Sequence, residues 1–167
     1  MTKHPYPYQI IAYFTDLSLG HPIGPPWPPH ITVKRRFALV GSTTEEDIAR
    51  LSGESLAEVP GFTVRLGQVN KFDVDTEYVD VLNPQPFSQL QSVLTHALTG
   101  KITTRDPQWE GANAQFHLTT KFRGEDVVDP GRFVNKEFAV TALWLVCESD
   151  VVGQHAIARE RFKLKEV

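Results

Sequence analysis

The sequence predicts an α+β fold built on a mostly antiparallel sheet. Segments rich in aromatic and β-branched residues outnumber the two segments with helical periodicity. In addition, one seven-residue phrase occurs twice, as His-Ile-Thr-Val-Lys-Arg-Arg at 30–36 and as His-Leu-Thr-Thr-Lys-Phe-Arg at 117–123. The copies lie about half a chain apart, so we expect two pseudo-symmetric lobes that each contribute one strand to a shared site.

The first two strands flank a stiff loop. Residues 8–15 read Tyr-Gln-Ile-Ile-Ala-Tyr-Phe-Thr, which is typical of a strand. Residues 20–29 contain five prolines and therefore cannot form a helix or a sheet ladder. This loop leads directly into the first copy of the phrase, which we predict as a strand over 30–39.

Two helices are predicted from capping signals and apolar spacing. Thr43 and Glu46 fit a capping box, and the helix that follows ends at Pro60-Gly61. Asn83-Pro84 begins the second helix, and Gly100 ends it.

The remaining elements are strands and turns. Residues 101–114 are polar and irregular, and a short turn or helix is expected around Asp129-Pro130. The further predicted strands are Phe62–Val69, Glu77–Leu82, 115–122 and a final hairpin of Glu137–Glu148 with His155–Leu164 around Asp150–Gly153.

Composition is that of an ordinary globular protein. The 167 residues are 41% apolar and 22% charged, and we expect one domain over 1–167. No apolar run is long enough to span a membrane, and Cys147 is the only cysteine. These features favour a cytoplasmic location. The formal net charge of −3 argues against binding to long duplex nucleic acid, although a local basic pocket could still hold a small phosphate.

Side-chain alternation along a strand gives the repeated phrase its chemical meaning. It places His, Thr, Lys and Arg on one face and apolar residues, including Phe122, on the other. Histidine suits proton transfer near neutral pH, hydroxyls bind phosphate oxygens, and cations raise the local potential. The candidate site residues are His30, Thr32, Lys34 and Arg36 from the first copy and His117, Thr119, Lys121 and Arg123 from the second.

The two motifs His30-Ile31-Thr32-Val33 and His117-Leu118-Thr119-Thr120 resemble those of the two-histidine (2H) phosphoesterase superfamily, which includes bacterial RNA 2′,5′-ligase-like proteins and cyclic nucleotide phosphodiesterases. Pro28-Pro29 before the first motif is also typical. The resemblance implies a bilobal fold with outer helices and a central, metal-independent cleft. It also implies that both histidines and both motif threonines, Thr32 and Thr119, are catalytic. Thr120 departs from the family pattern, because that position is usually apolar.

Other residues add less. Trp27 and Trp109 lie in polar loops beside the motifs, where they could close over a substrate or stack on a base. The alternating acids at 73–77 are better explained as a solvated turn than as a metal site. The sequence has no glycine-rich phosphate loop and no zinc-ligand spacing, so we predict no metal and no cofactor.

The function predicted from these observations is hydrolysis of a 2′,3′-cyclic phosphate or a 2′,5′-linked phosphodiester. The substrate would be a small nucleotide or an RNA end. One histidine would be the base and the other the acid; we favour His117 as base and His30 as acid, although the sequence does not decide this assignment. Two alternatives stay open. One is a module that binds a phosphorylated nucleotide or an RNA end without turnover, and the other is RNA 2′,5′ ligation by reversal of the same chemistry.

Overall fold

The structure is a computed structural model that describes residues 5–24, 27–148 and 156–167. Within these ranges every pairing between two strands is antiparallel, which confirms the predicted α+β class with its mostly antiparallel sheet. The strands are β1 Tyr8–Tyr13, β2 Pro22–Ile23, β3 His30–Leu39, β4 Phe62–Lys71, β5 Glu77–Val81, β6 Ile102–Thr104, β7 His117–Phe122, β8 Glu125–Asp126, β9 Glu137–Val140, β10 Ala142–Glu148 and β11 Ala156–Lys163. The helices are α1 Glu45–Leu56 and α2 Gln85–Ala97.

The strand order places the two motif strands at the centre of the sheet. The path is β2-β11-β10-β1-β3-β7-β5-β4-β9, with β6 paired to β3 and β8 to β7. Two of these strands correct the sequence-based expectations, since β2 lies in the proline-rich segment 20–29 and β6 in the segment 101–114. Proline is tolerated in β2 because this strand is at the edge of the sheet. The central strands β3 and β7 are linked by the pair Ile31–Leu118. On one side of this centre lie β1, β10, β11 and the two-residue β2, and on the other lie β5, β4 and β9. We call β1, β3, β10 and β11 the first lobe and β4, β5, β7 and β9 the second lobe. Each lobe therefore contains strands from both halves of the chain.

Both helices cover one face of the sheet. Ile48 of α1 and Leu90 and Leu94 of α2 lie in one buried apolar cluster with Ile31 and Leu118. The opposite face of the first lobe carries a second buried cluster, which consists of Ile11, Tyr13, Ile23, Ala142, Trp144, Val146, Ala156 and Ala158. The motif strands β3 and β7 therefore have one face that packs against the helices and an opposite face lined by other residues. Neither helix in the described ranges is long and apolar enough to cross a membrane.

Both helix caps lie one residue after the predicted position. The capping box of α1 is formed by Thr44 and Asp47 rather than by Thr43 and Glu46. The run Thr-Thr-Glu-Glu-Asp allows both frames, so the sequence could not choose between them. At α2 the cap is Pro84. Asn83 instead accepts the amide of Arg65 at 2.7 Å and donates to the carbonyl of Thr63, so it ties the helix entrance to β4.

The predicted single strand Glu137–Glu148 is two strands. It breaks at Thr141, after which β9 pairs with β4 and β10 pairs with β1 and β11. The run therefore crosses from one lobe to the other, which an uninterrupted series of strand-forming residues does not reveal. The predicted turn at Asp150–Gly153 and the strand start at His155 lie outside the described residues.

Candidate active site

The two motifs meet through the register of β3 and β7. Ile31 and Leu118 oppose each other and are fully buried against the helices. Because adjacent side chains of a strand point to opposite faces, the other face carries the remaining motif residues. These are His30, Thr32, His117 and Thr119. Continuing the antiparallel register outward from the central pair places each histidine beside the threonine of the other motif.

Both imidazoles are held by the same backbone hydrogen bond. Nδ1 of His30 lies 2.8 Å from the carbonyl oxygen of Pro28, and Nδ1 of His117 lies 2.7 Å from that of Gln115. A carbonyl only accepts, so each Nδ1 must carry the proton and donate. In the neutral ring this leaves Nε2 with its lone pair free to accept a proton. The two-residue offset is the same in both motifs, and thus the geometry is repeated with the sequence.

The environment of both histidines disfavours the charged form. Burial lowers the pKa of His30 below its ordinary value, and the Pro28 carbonyl opposes this only partly. Burial likewise lowers the pKa of His117, and the charges of Arg35 and His30 lower it further. Since the two rings sense each other, protonating one makes protonation of the other less favourable. That coupling favours a pair in which one ring is acid and the other base.

Aromatic side chains fix the ring planes. The ring of Tyr13 on β1 lies 5.3 Å from that of His30. His117 contacts two rings edge-on, Phe72 at 4.8 Å and Tyr78 at 5.4 Å between centroids. The hydroxyl of Tyr78 accepts a hydrogen bond from Gln115, whose carbonyl in turn anchors His117. Each motif histidine is therefore packed against a tyrosine of the neighbouring strand.

A β-bulge follows the threonine of the first motif. Thr32 opposes Ile11 and Lys34 opposes Ile10, so two steps along β3 match one step along β1. The extra residue, Val33, is buried, and its carbonyl accepts a hydrogen bond from the Gln91 side chain at 3.0 Å. The bulge reverses the alternation and turns Lys34 toward the helix-covered face.

The second motif has a bulge at the same position. Thr119 opposes Tyr78 and Lys121 opposes Glu77, which leaves Thr120 as the extra, buried residue. Its carbonyl accepts the amides of Val127 and Val128. The bulge turns Lys121 off the face of the histidines and brings Phe122 onto it.

The structure therefore corrects the expected placement of both lysines. Lys34 is 2% exposed, and its ammonium lies 2.5 Å from Glu110, whose other oxygen accepts the amide of Arg35. Lys121 lies 3.9 Å from Glu77 and 3.8 Å from Asp126. Strict alternation cannot foresee this, because a bulge inserts one residue without any marker in the sequence.

The two predicted arginines, Arg36 and Arg123, lie in different surroundings. Arg36 lies in the central cavity and forms an ion pair with Glu148. Arg123 has a φ of 52° and, with Gly124, forms the two-residue turn between β7 and β8. It lies over the Phe122 ring rather than extending the strand. Arg35 was not among the predicted site residues, although its charge lies close enough to His117 to lower the pKa of that ring.

A cavity of about 300 Å³ opens beside the motif residues. His30, Thr119 and Arg36 line it together with Trp27 and Phe122. Phe122 was expected in the core but is 51% exposed, because the bulge at Thr120 reverses its direction. Trp109 is 54% exposed on the 3₁₀ turn Pro107–Trp109 and is not among the described residues that line this cavity. Within the described ranges no three His, Cys, Asp or Glu side chains cluster as metal ligands do.

Solved structures share this fold along nearly their whole length. A phosphoesterase crystal structure matches with a TM-score of 0.66 at 17% identity, covering 97% of this chain and 99% of the other. E. coli LigT complexed with 3′-AMP matches with a TM-score of 0.65 at 19% identity, covering 96% and 99%. A protein of Thermus thermophilus matches with a TM-score of 0.59 at 18% identity, covering 95% and 98%. At such identities the likeness shows the fold alone.

The sequence itself gives the family. A search of curated proteins found no match. The model of the 2′-5′ RNA ligase superfamily, however, matches residues 7–151, which include both motifs and most of the chain. The resemblance to the two-histidine phosphoesterases is thereby confirmed, and the chain belongs to the 2′-5′ RNA ligase superfamily.

Proposed function

We propose that the protein is a metal-independent phosphodiesterase acting on a 2′,3′-cyclic phosphate or a 2′,5′-linked phosphodiester of a small nucleotide or RNA end. The observation that carries the proposal is the matched anchoring of His30 and His117. Both donate Nδ1–H to a backbone carbonyl, and both lie on the same face of adjacent central strands. Two such imidazoles supply a general base and a general acid to one phosphorus atom.

The hydrolytic step needs one neutral and one protonated ring. Nε2 of His117 takes a proton from water, whose oxygen attacks phosphorus and forms the new P–O bond. Nε2 of protonated His30 gives its proton to the ribose oxygen as the old P–O bond breaks. The proton count balances, since one ring gains a proton and the other loses one. In the ligating direction the two roles exchange.

The remaining polar groups position and neutralise the phosphate. The hydroxyls of Thr32 and Thr119 donate to the non-bridging oxygens, each next to the histidine of the other motif. Arg35 supplies positive potential at His117, and Arg36 lines the cavity as the cation of an ion pair with Glu148. Lys34 and Lys121 are committed to carboxylates and have no direct contact with substrate in this proposal.

The cavity favours a nucleotide among phosphodiesters. Trp27 and Phe122 line it beside His30, and aromatic rings bind nucleobases by stacking. Its volume of about 300 Å³ suits a mononucleotide-sized ligand. The LigT structures with 3′-AMP and with ATP are complexes with ligands of this class, which supports the same class here.

The test is turnover without metal. Purified protein in EDTA is incubated with 2′,3′-cyclic nucleotides and 2′,5′-linked dinucleotides, and products are read by ³¹P NMR. We expect product from the wild type and from His96→Ala, a matched control that removes an exposed helical histidine. His30→Ala/His117→Ala should give none. Binding of the nucleotides without product from the wild type would contradict the proposal and favour the binding module, and ligated product from free ends would favour the ligase.

A further inference from the structure

A second cavity, of about 230 Å³, lies on the same face of the first lobe. It is formed where β1, β9, β10 and β11 come together beyond the end of the motif strand β3. Tyr13 lines both cavities, and its ring also packs on His30. The second cavity is therefore separated from the motif histidine by a single side chain.

Two buried polar groups of this cavity have no partner among the described residues. The Tyr13 hydroxyl and the Trp144 indole nitrogen are both buried without a hydrogen bond, in side chains that are 6% and 4% exposed. Buried polar atoms in native proteins are nearly always paired, and an unpaired donor is costly. Both residues line the cavity, and their rings lie edge-to-face, 5.9 Å apart between centroids.

The donors determine what kind of ligand fits. An indole N–H only donates, and burial raises the pKa of the Tyr13 hydroxyl, which therefore stays protonated. Arg161 adds a guanidinium, 5.5 Å from the centroid of the Trp144 ring. Asp16 also lines the cavity. Because Asp16 and Arg161 are both exposed, solvent screens both charges, and the two buried neutral donors give the cavity its preference for acceptor oxygens. Two neutral donors and a guanidinium match the acceptor oxygens of a phosphate.

We infer that this second cavity is a subsite for an additional phosphate of the substrate, bound by Tyr13, Trp144 and Arg161. The inference rests on the proposed function and narrows its substrate class. The preferred substrate is a nucleotide or oligonucleotide end that carries a second phosphate besides the one that reacts. Such a substrate would place its reacting phosphate at the two histidines and the other beyond Tyr13.

Binding of two nucleotides that differ by one phosphate tests the subsite without any need for turnover. Calorimetric titration compares adenosine 3′,5′-bisphosphate with adenosine 3′-monophosphate. We expect the bisphosphate to bind about tenfold more tightly, as a charge-assisted contact allows. Arg161→Gln should remove that advantage and leave the affinity for the monophosphate unchanged. Lys163→Gln removes an exposed charge from the same strand and serves as the matched control.

The indole signal of Trp144 gives an independent readout. In ¹H–¹⁵N spectra its N–H resonance, assigned by its loss in Trp144→Phe, should shift with the bisphosphate and stay in place with the monophosphate. Equal affinities for the two nucleotides, or an Arg161→Gln variant that weakens both equally, would overturn the inference. A bisphosphate preference in a protein that hydrolyses no phosphodiester would instead sustain the subsite and reject the proposed function.

Discussion

The first and second motifs are alike in backbone and different in surroundings. In both, a histidine is anchored through Nδ1 two residues back, a threonine follows on the same face, and a buried bulge comes next. The lysine after the bulge differs, since Lys34 is 2% exposed and Lys121 is 33% exposed. The anchored histidine and the threonine, which both copies share, serve the proposed chemistry. The burial of the lysine, which differs between the copies, depends on local packing.

The shared part is tested most strongly by removing one histidine at a time. His30→Ala and His117→Ala should each lower kcat/KM by at least ~100-fold, because each removes one proton-transfer group. The double variant should be little worse than either single variant, since both groups act in one step. Steady-state kinetics with a cyclic nucleotide measures this. A single variant that keeps wild-type activity would break the equivalence of the motifs.

The lysines test the part that differs. Lys34→Met should lower the free energy of unfolding by about 3–5 kcal/mol, because it leaves Glu110, whose side chain is only 10% exposed, without its cation. Lys121→Met should change it by no more than about 0.5 kcal/mol, since exposed ion pairs contribute little. Urea unfolding of both variants gives the comparison. Lys34→Met/Glu110→Gln should recover much of the loss, and equal effects of the two single substitutions would contradict the assignment.

The residue at the bulge also differs between the motifs, and each residue can be replaced by its counterpart. Thr120 has a buried hydroxyl without a partner among the described residues, where the first motif has Val33. Thr120→Val should therefore stabilise the fold by about 1 kcal/mol, and Val33→Thr should destabilise it by about 1–3 kcal/mol. Thermal unfolding reports both. Destabilisation by Thr120→Val would show that its hydroxyl is satisfied.

The pH dependence of activity follows from both lowered histidine pKa values. The base must be neutral and the acid protonated, so kcat/KM follows a bell with its maximum between the two values. Burial lowers both pKa values below 6.5, hence the optimum should lie below pH 6.5 and activity should fall above it. A rate profile on a cyclic nucleotide checks this, and an optimum above pH 7.5 would disagree with it.

The free energy of unfolding should also depend on pH, because the pKa values of both histidines are lower in the folded chain than in the unfolded chain. The unfolded chain binds protons at these histidines near pH 6.5, whereas the folded chain resists protonation until lower pH. Stability is therefore fully present above pH 6.5 and decreases as pH falls through the folded pKa values. His30→Asn/His117→Asn should flatten this decrease in urea unfolding between pH 7 and 5, and an unchanged slope would place the titration elsewhere.

Sequence alone reached the fold class, the motif strands and the face that carries His30 and His117, because these depend on alternation and on a repeat. The sequence-based predictions were wrong where one inserted residue changes the register between two strands. The bulges at Val33 and Thr120 have no compositional mark, and they decide the directions of Lys34, Lys121 and Phe122. Arg35 was missed for the same reason, since strict alternation assigned it to the opposite face. The crossing of β9 into β10 depends on strand partners far away in sequence.

The central claim is that both motifs present the same Nε2 to one cleft. Long-range ¹H–¹⁵N NMR of selectively labelled histidine, assigned with His30→Ala and His117→Ala, reads tautomer and titration together. At pH 7.5 both rings should be neutral with the proton on Nδ1, and both should titrate below 6.5. A proton on Nε2 of either ring, or titration at or above 6.5, would contradict the equivalence of the two motifs.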